Sequence, residues 1–216
     1  MNELILLFGG LSGERRVSVA SAQNIASATP TCTCWFWTRD NRVFRVSREE
    51  LLRHQNVFQS EFLPTQYDDL GPLEVAIKTV LPHQVLFLAV HGGDGENGCL
   101  QELLEKSEIA FTGSDSRASH RAFDKTIAKE FVFNQGGKVP RGIMARGDHY
   151  ADARIRIEEL MGLVGSVVVK PVADGSSIGV HFVSNTTELS VALQELQRFP
   201  QVPYLVEERV YGRELT

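Results

Sequence analysis

The sequence predicts an α/β protein, a parallel sheet covered by helices, followed by a segregated α+β portion. Three observations carry this. Short apolar runs of strand length alternate with helix-like stretches from the N-terminus onward. Two of those runs, residues 4–8 and 85–90, pass directly into glycine-rich loops, as strands do at the ligand-bearing carboxyl ends of open α/β sheets. Near residue 114 the rhythm changes to a long helical stretch and strands separated by a hairpin-like loop.

Each element follows in order. Residues 4–8 are continuously apolar and end at Gly9-Gly10, a buried strand leaving into a turn. Residues 18–28 combine small and apolar side chains and suit a helix, and residues 32–37 are rich in β-formers. Residues 43–46 alternate, and Ser47 with Glu50 forms a capping-box pattern that starts a short helix. Residues 55–69 carry no clear period. Residues 85–90 are a second buried strand, 100–104 a helix and 110–112 a short strand. Because the loops at 9–13 and 91–98 both leave strand carboxyl ends, they are expected on one side of one sheet.

In the later portion, residues 116–134 read as one long helix closed by Gly136-Gly137. Strands are expected at 141–145, 166–170, 180–183 and 204–210, with helices at 151–163 and from Asn185 and Glu188 to about Phe199. The strands at 166–170 and 180–183 flank one loop and are expected to form a hairpin.

Composition narrows the class. The chain has 216 residues, 43% of them hydrophobic, enough to build real cores. A net charge of -5 argues against a general nucleic-acid binder. No apolar run reaches the ~18 residues of a membrane span, so no membrane partner is expected. The start, MNELILLFGG, lacks the basic and long apolar regions of a signal peptide. Three cysteines, Cys32, Cys34 and Cys99, without a CxxC pair favour reduced thiols and a cytoplasmic address. Cys32 and Cys34 fall short of the usual four zinc ligands.

Four segments carry chemistry. Residues 9–18 run from strand through flexible loop to helix start, where backbone N–H groups face an anion. The loop is not GxGxxG, which argues against a nicotinamide oxidoreductase. Glu14, at the helix entry, suits either a substrate ammonium or the helix dipole. Residues 91–98 place four glycines in eight residues. His91 and Glu96 there either pair, the carboxylate orienting the imidazole, or cap the following helix. Lys170 ends an apolar strand and precedes a Gly-Ser-Ser turn, which favours a polyphosphate cradle over a solvated hairpin lysine. No GK[ST] opens a helix, so this is not a Walker A loop. Residues 207–214 end the last strand, and acids there such as Glu207 and Glu214 can accept from an adenine amino group or ribose hydroxyls, although for these residues in isolation a solvated edge strand is the better reading.

Taken together and in order, GGLSGERRVSVASA, HGGDGENGCLQELLE, FTGSDSRASHRAFDK, VVVKPVADGSSIGV and LVEERVYGRELT resemble the D-alanine–D-alanine ligase family of ATP-grasp enzymes. The resemblance is weak only between about residues 29 and 80. It implies a Rossmann-like (pre-ATP-grasp) substrate-binding domain over residues 1–113. An ATP-grasp central (lid) subdomain follows over 114–206. Residues 207–216 begin a C-terminal ATP-grasp subdomain that is mostly missing. It implies that Glu14 anchors the ammonium of the first D-alanine, that Ser176 works with it, and that His91 and Glu96 line that pocket. Lys125 and Lys170 are implied on the ATP phosphates, Ser177 in the lid over them, Glu207 at the adenine edge, Arg209 and Val210 at the hinge, and Glu214 on the ribose.

The implied reaction joins two D-alanines through an acyl phosphate, with ATP and Mg²⁺, for peptidoglycan precursor synthesis. A homodimer is also implied. A relative with a different second substrate (D-lactate, D-serine or another amine) and a non-catalytic nucleotide-binding relative are the alternatives. Two departures stand out. Asn97 occupies a position where the family often has Asp. The family's Mg²⁺ ligands, tyrosine loop and substrate arginine lie beyond Thr216, so this polypeptide alone is expected to be inactive.

Overall fold

The computed structural model describes residues 3–175 and 177–213. The expected site residues Ser176 and Glu214 therefore lie outside the described residues. The chain divides into two compact units, Met1–Ala122 and Phe123–Thr216. Among the described residues, no helix is long and apolar enough to cross a membrane.

In the first unit β1 (Glu3–Gly9), α1 (Arg15–Ala28), β2 (Thr33–Trp37), β3 (Arg42–Val46), α2 (Arg48–Arg53), β4 (Tyr67–Pro72), α3 (Leu73–Ala76), β5 (Gln84–Leu88), α4 (Cys99–Lys106) and α5 (Ser116–Phe123) follow in order. The sheet order is β4-β3-β2-β1-β5. The unbroken apolar run of β1 has a simple cause: its side chains alternate between two cores. Ile5 and Leu7 pack with Trp35, Trp37, Leu86, Leu100 and Leu104. Leu6 and Phe8 pack with Val19, Ala22, Cys34, Phe36 and Leu51. Burial on both faces leaves no position for a polar residue between residues 4 and 8.

The parallel sheet holds for β2-β1-β5 and fails beyond it, because β3 and β4 run antiparallel. The reason is local. Thr38 N–H donates to Arg42 O at 2.8 Å and Asn41 takes a left-handed φ of 61°, a tight turn with no room for a crossover helix. The strand expected at 110–112 is reduced to one bridge, Leu86 to Phe111. There the Thr112 hydroxyl accepts from Leu88 N–H at 3.1 Å, replacing a ladder carbonyl. The capping box forms by half. Ser47 accepts from Glu50 N–H at 3.1 Å, but the Glu50 carboxylate turns to Thr65 instead.

The second unit contains α6 (Lys125–Asn134), β6 (Gly142–Arg146), α7 (Tyr150–Val164), β7 (Val167–Pro171), β8 (His181–Val183), α8 (Thr186–Arg198) and β9 (Pro203–Glu208). Its antiparallel sheet has the order β6-β9-β7-β8, with β7 and β8 forming the expected hairpin. Asn185 caps α8 as its sequence suggests, accepting from Glu188 N–H at 3.0 Å. Ile157 and Leu160 of α7 and Leu189, Leu193 and Leu196 of α8 bury one sheet face against Val167, Val169, Tyr204 and Val206.

Two expectations are corrected here. The single helix over 116–134 is two. Asp124 is extended, and its carboxylate accepts from Thr126 N–H (2.8 Å) and Ile127 N–H (3.1 Å), so it ends one helix and caps the next. The solvated edge strand at 204–210 is a central strand, hydrogen-bonded to β6 on one side and β7 on the other. Leu205 and Val206 are therefore buried within a sheet.

Candidate active site

The first unit brings the 9–14 and 91–98 loops together, as parallel β1 and β5 require. Ser12 links them: its hydroxyl donates to His91 O at 2.5 Å and accepts from Glu14 N–H at 3.1 Å. Ser18 staples the strands beneath. It accepts from Gly9 N–H at 2.7 Å and donates to Ala89 O at 2.6 Å. Glu14 is the residue before α1 and makes no side-chain cap bond to it. Its carboxylate instead lies against Gly92. A Cβ at Gly92 would overlap Glu14 Oε2 and lie 3.1 Å from Ser12 Oγ, and Gly92 has a φ of +66°. Gly92→Ala is thus strained twice and displaces the carboxylate. The expected result is a loss of roughly tenfold or more in affinity for an amine ligand at Glu14, measured by titration.

His91 is oriented chiefly by Ser21, whose hydroxyl is 2.9 Å from Nε2. Glu96 is 3.6 Å from Nδ1, beyond hydrogen-bond length, so the expected pairing is an ion-pair contact only. Asn97 donates to Asp94 at 3.0 Å and accepts from Cys99 N–H at 2.9 Å. An aspartate could accept but not donate here, so the amide suits this loop. Glu61 receives Arg15 (Nε at 2.8 Å) and Arg16 (Nε at 3.0 Å), fastening the otherwise irregular 55–66 segment beside Glu14. Nothing local in the sequence signals that contact.

The second unit brings Lys125, Lys170 and Glu207 together. The helix break at Asp124 makes Lys125 the first residue of α6. Its N–H donates to Val172 O at 3.1 Å and its Nζ to Asp174 O at 2.6 Å, so it lies against the 172–175 loop. Burial, and then the neighbouring Lys170 charge, hold the Lys125 ammonium below its ordinary pKa. Glu207 sits diagonally from Lys170 across β9 and β7, and Lys170 donates to its Oε1. Lys129, which sequence reasoning missed, donates to Oε2 at 2.7 Å. Burial alone would raise the Glu207 pKa, but the bonds from Lys129 and Lys170 outweigh it and hold the carboxyl below its usual range.

Beside Glu207 lies an open cleft of ≈ 400 Å³ lined by Val168, Phe182, Arg209, Val210 and Tyr211. The Arg209 guanidinium lies over Phe182 (4.6 Å) and Tyr211 (4.8 Å), so its side chain forms a wall of the cleft. A cleft of this size with mixed apolar and charged walls, aromatic side chains and a buried carboxylate is suited to a flat ring bearing a donor edge. Ser177 takes a left-handed φ of 59°, an unusual conformation for a non-glycine, in the loop between β7 and β8. Among the described residues, no three His, Cys, Asp or Glu side chains form a group able to hold a metal ion.

Comparison with known proteins decides the family. The model for "D-ala D-ala ligase N-terminus" matches residues 3–114, and that for "D-ala D-ala ligase C-terminus" matches residues 143–216. The chain belongs to the D-alanine–D-alanine ligase family. A D-alanine–D-alanine ligase of Pediococcus pentosaceus is 32% identical over 99% of this chain and 64% of its own length. The solved D-alanine–D-alanine ligase of Coxiella burnetii superposes with a TM-score of 0.76 at 25% identity, covering 99% of this chain and 65% of that one. The VanG D-Ala:D-Ser ligase of Enterococcus faecalis gives 0.75, also at 25% identity, covering 98% and 64%. The chain therefore spans roughly three-fifths of the length of these D-alanine–D-alanine ligase family members.

Proposed function

We propose that this chain supplies the first amino-acid site and the nucleotide site of an ATP-dependent ligase that joins two D-alanines for peptidoglycan precursor synthesis. The observation that carries this reading is the grouping of Lys125, Lys170 and buried Glu207 beside an open cleft, in a chain of this family. Two ammonium groups on a loop-and-strand surface suit a polyphosphate, and the carboxylate suits the adenine amino group. Glu14 then anchors the ammonium of the first D-alanine, with His91 and Glu96 along its pocket. Ser177 belongs to the lid over the phosphates, and Arg209 and Val210 form the hinge edge of the base cleft. The roles of Ser176, which the resemblance has working with Glu14, and of Glu214, which it assigns to the ribose, rest on the resemblance alone. Mg²⁺ neutralises phosphate charge in such reactions. A cytoplasmic homodimer completes the reading.

In the proposed reaction the carboxylate oxygen of one D-alanine attacks the γ-phosphorus of ATP, and the bond to ADP breaks. The amine of the second D-alanine attacks the acyl carbon, phosphate leaves with the bridging oxygen, and the amine loses a proton. The chain's own work is electrostatic and positional: Glu14 fixes one reactant and the lysines balance phosphoryl charge. Because water competes for an acyl phosphate, closure of the 172–179 loop serves to exclude it.

The similarity to a D-Ala:D-Ser ligase supports a second reading, in which the attacking group comes from D-serine. The test extends these 216 residues with the family's C-terminal segment and measures ADP release. D-alanine is expected to drive release and L-alanine not. Equal release with both enantiomers would remove the assignment, and a panel of D-amino acids separates the two readings.

A further inference from the structure

Glu207 has two carboxylate oxygens and two lysines, and the lysines are not equivalent. Lys170 donates to Oε1 and Lys129 to Oε2. In the nucleotide reading Lys170 also serves the phosphates, so its ammonium is shared between them and Oε1 and its grip on Oε1 weakens when nucleotide binds. Glu207 is only 7% exposed, and a buried carboxylate stripped of its partners is strongly destabilising. Something else must hold it.

Lys129 is built to do so. It lies one turn beyond Lys125 on α6, so both point from the same helix face. Its Nζ is fixed by a second bond, to Pro140 O at 2.9 Å. Gly142 stands opposite Glu207 in the sheet register, and a Cβ there would lie 3.1 Å from the Lys129 Nζ. The ammonium is thus held between the Pro140 carbonyl and the Glu207 carboxylate beside the bare backbone of β6, with its side chain 21% exposed. Lys170, in contrast, lies on β7 next to the loop that leads to β8 and, among the described residues, donates to Glu207 Oε1.

We propose that Lys129 is a positioning residue for nucleotide selection, holding Glu207 by Oε2 so that Oε1 accepts from the purine edge once Lys170 turns to the phosphates. The inference rests on the nucleotide reading above. It makes the site select a purine carrying an exocyclic 6-amino group over one carrying a 6-oxo group. A fixed acceptor rewards the amino donor and repels the oxo oxygen.

Two measurements test it. The first is titration of this chain with ATP and with ITP. The wild type is expected to prefer ATP by roughly tenfold or more, Lys129→Met to lose most of that preference, and Lys129→Arg to retain it. A wild-type preference that survives in a folded Lys129→Met variant overturns the proposal. The second needs no nucleotide: a carboxyl NMR titration of Glu207 in Lys170→Met. With Lys129 as the fixed partner, Glu207 still titrates below the usual carboxylate range. Titration above that range shows that Lys129 does not hold it and also overturns the proposal. If the wild type binds neither nucleotide, or both alike, the purine reading and the selectivity role fall together. The Glu207 titration then shows whether that failure lies in the nucleotide reading or in the grip of Lys129.

Discussion

If the proposed nucleotide site is right, Lys170→Met is expected to weaken ATP binding by roughly 10- to 100-fold. The figure follows from losing one charge-assisted contact to phosphate, about 1.5–3 kcal/mol. It is held to that range because wild-type Lys170 also donates to Glu207, so part of its gross attraction is already engaged in the nucleotide-free chain. Lys170→Arg keeps the charge but replaces a compact ammonium with a planar fork, and is expected to rescue only partly. The pH dependence has a definite sign. Lys125 has a lowered pKa from burial and from the Lys170 charge, and only its protonated form attracts phosphate. ATP affinity therefore stays level at lower pH and falls as pH rises through that lowered value, before the ordinary lysine value of 10.5 is reached. Lys170→Met removes one cause of the lowering, so the fall moves to higher pH. Calorimetric titration across alkaline pH checks both statements.

Gly147→Ala unfolds the second unit well below the wild-type melting temperature. Gly147 opens a tight 3-10 turn, Gly147–His149, between β6 and α7. A Cβ there would overlap the backbone carbonyl of Leu196 and lie 2.9 Å from Pro200 Cα. Both neighbours are backbone, held by the end of α8, and neither can rotate aside as a side chain does. The expected cost is about 3 kcal/mol, which for a unit of this size lowers Tm by roughly 10 °C or more. Gly162, in α7, has no atom within 4 Å of its Cβ position. Gly162→Ala serves as the opposite control, expected to stabilise by ~0.5–1 kcal/mol. Thermal unfolding of the two variants separates crowding from the loss of a glycine as such.

What the sequence revealed and concealed follows from how local each signal is. The β1 run, the Asn185 cap and the hairpin around the 172–180 loop are written in neighbouring residues, and all were legible. The central place of β9 was not, because a strand's own residues do not state how many partners it has. Pairing with both β6 and β7 turned Glu207 from a solvated acid into a buried one. The break at Asp124 was available in principle, since an aspartate followed by Lys125-Thr126 is an N-cap pattern. The apolar and helix-forming residues on both sides masked it. Arg15 and Glu61 meet across 46 positions, and Lys129 and Glu207 across 78. No spacing rule reaches that far. The family motifs supplied Lys125, Lys170 and Glu207 together, whereas Lys129 and Ser21 became visible only through their contacts.

The central claim is that a carboxylate, not water, takes the phosphoryl group. It is tested most directly by supplying D-alanine labelled with ¹⁸O in its carboxylate to the extended protein with ATP, and analysing the phosphate released. The account predicts one ¹⁸O in each phosphate formed with dipeptide, carried as the bridging oxygen of the acyl phosphate. Phosphate released without the label would contradict it, leaving these lysines and Glu207 in some other nucleotide chemistry.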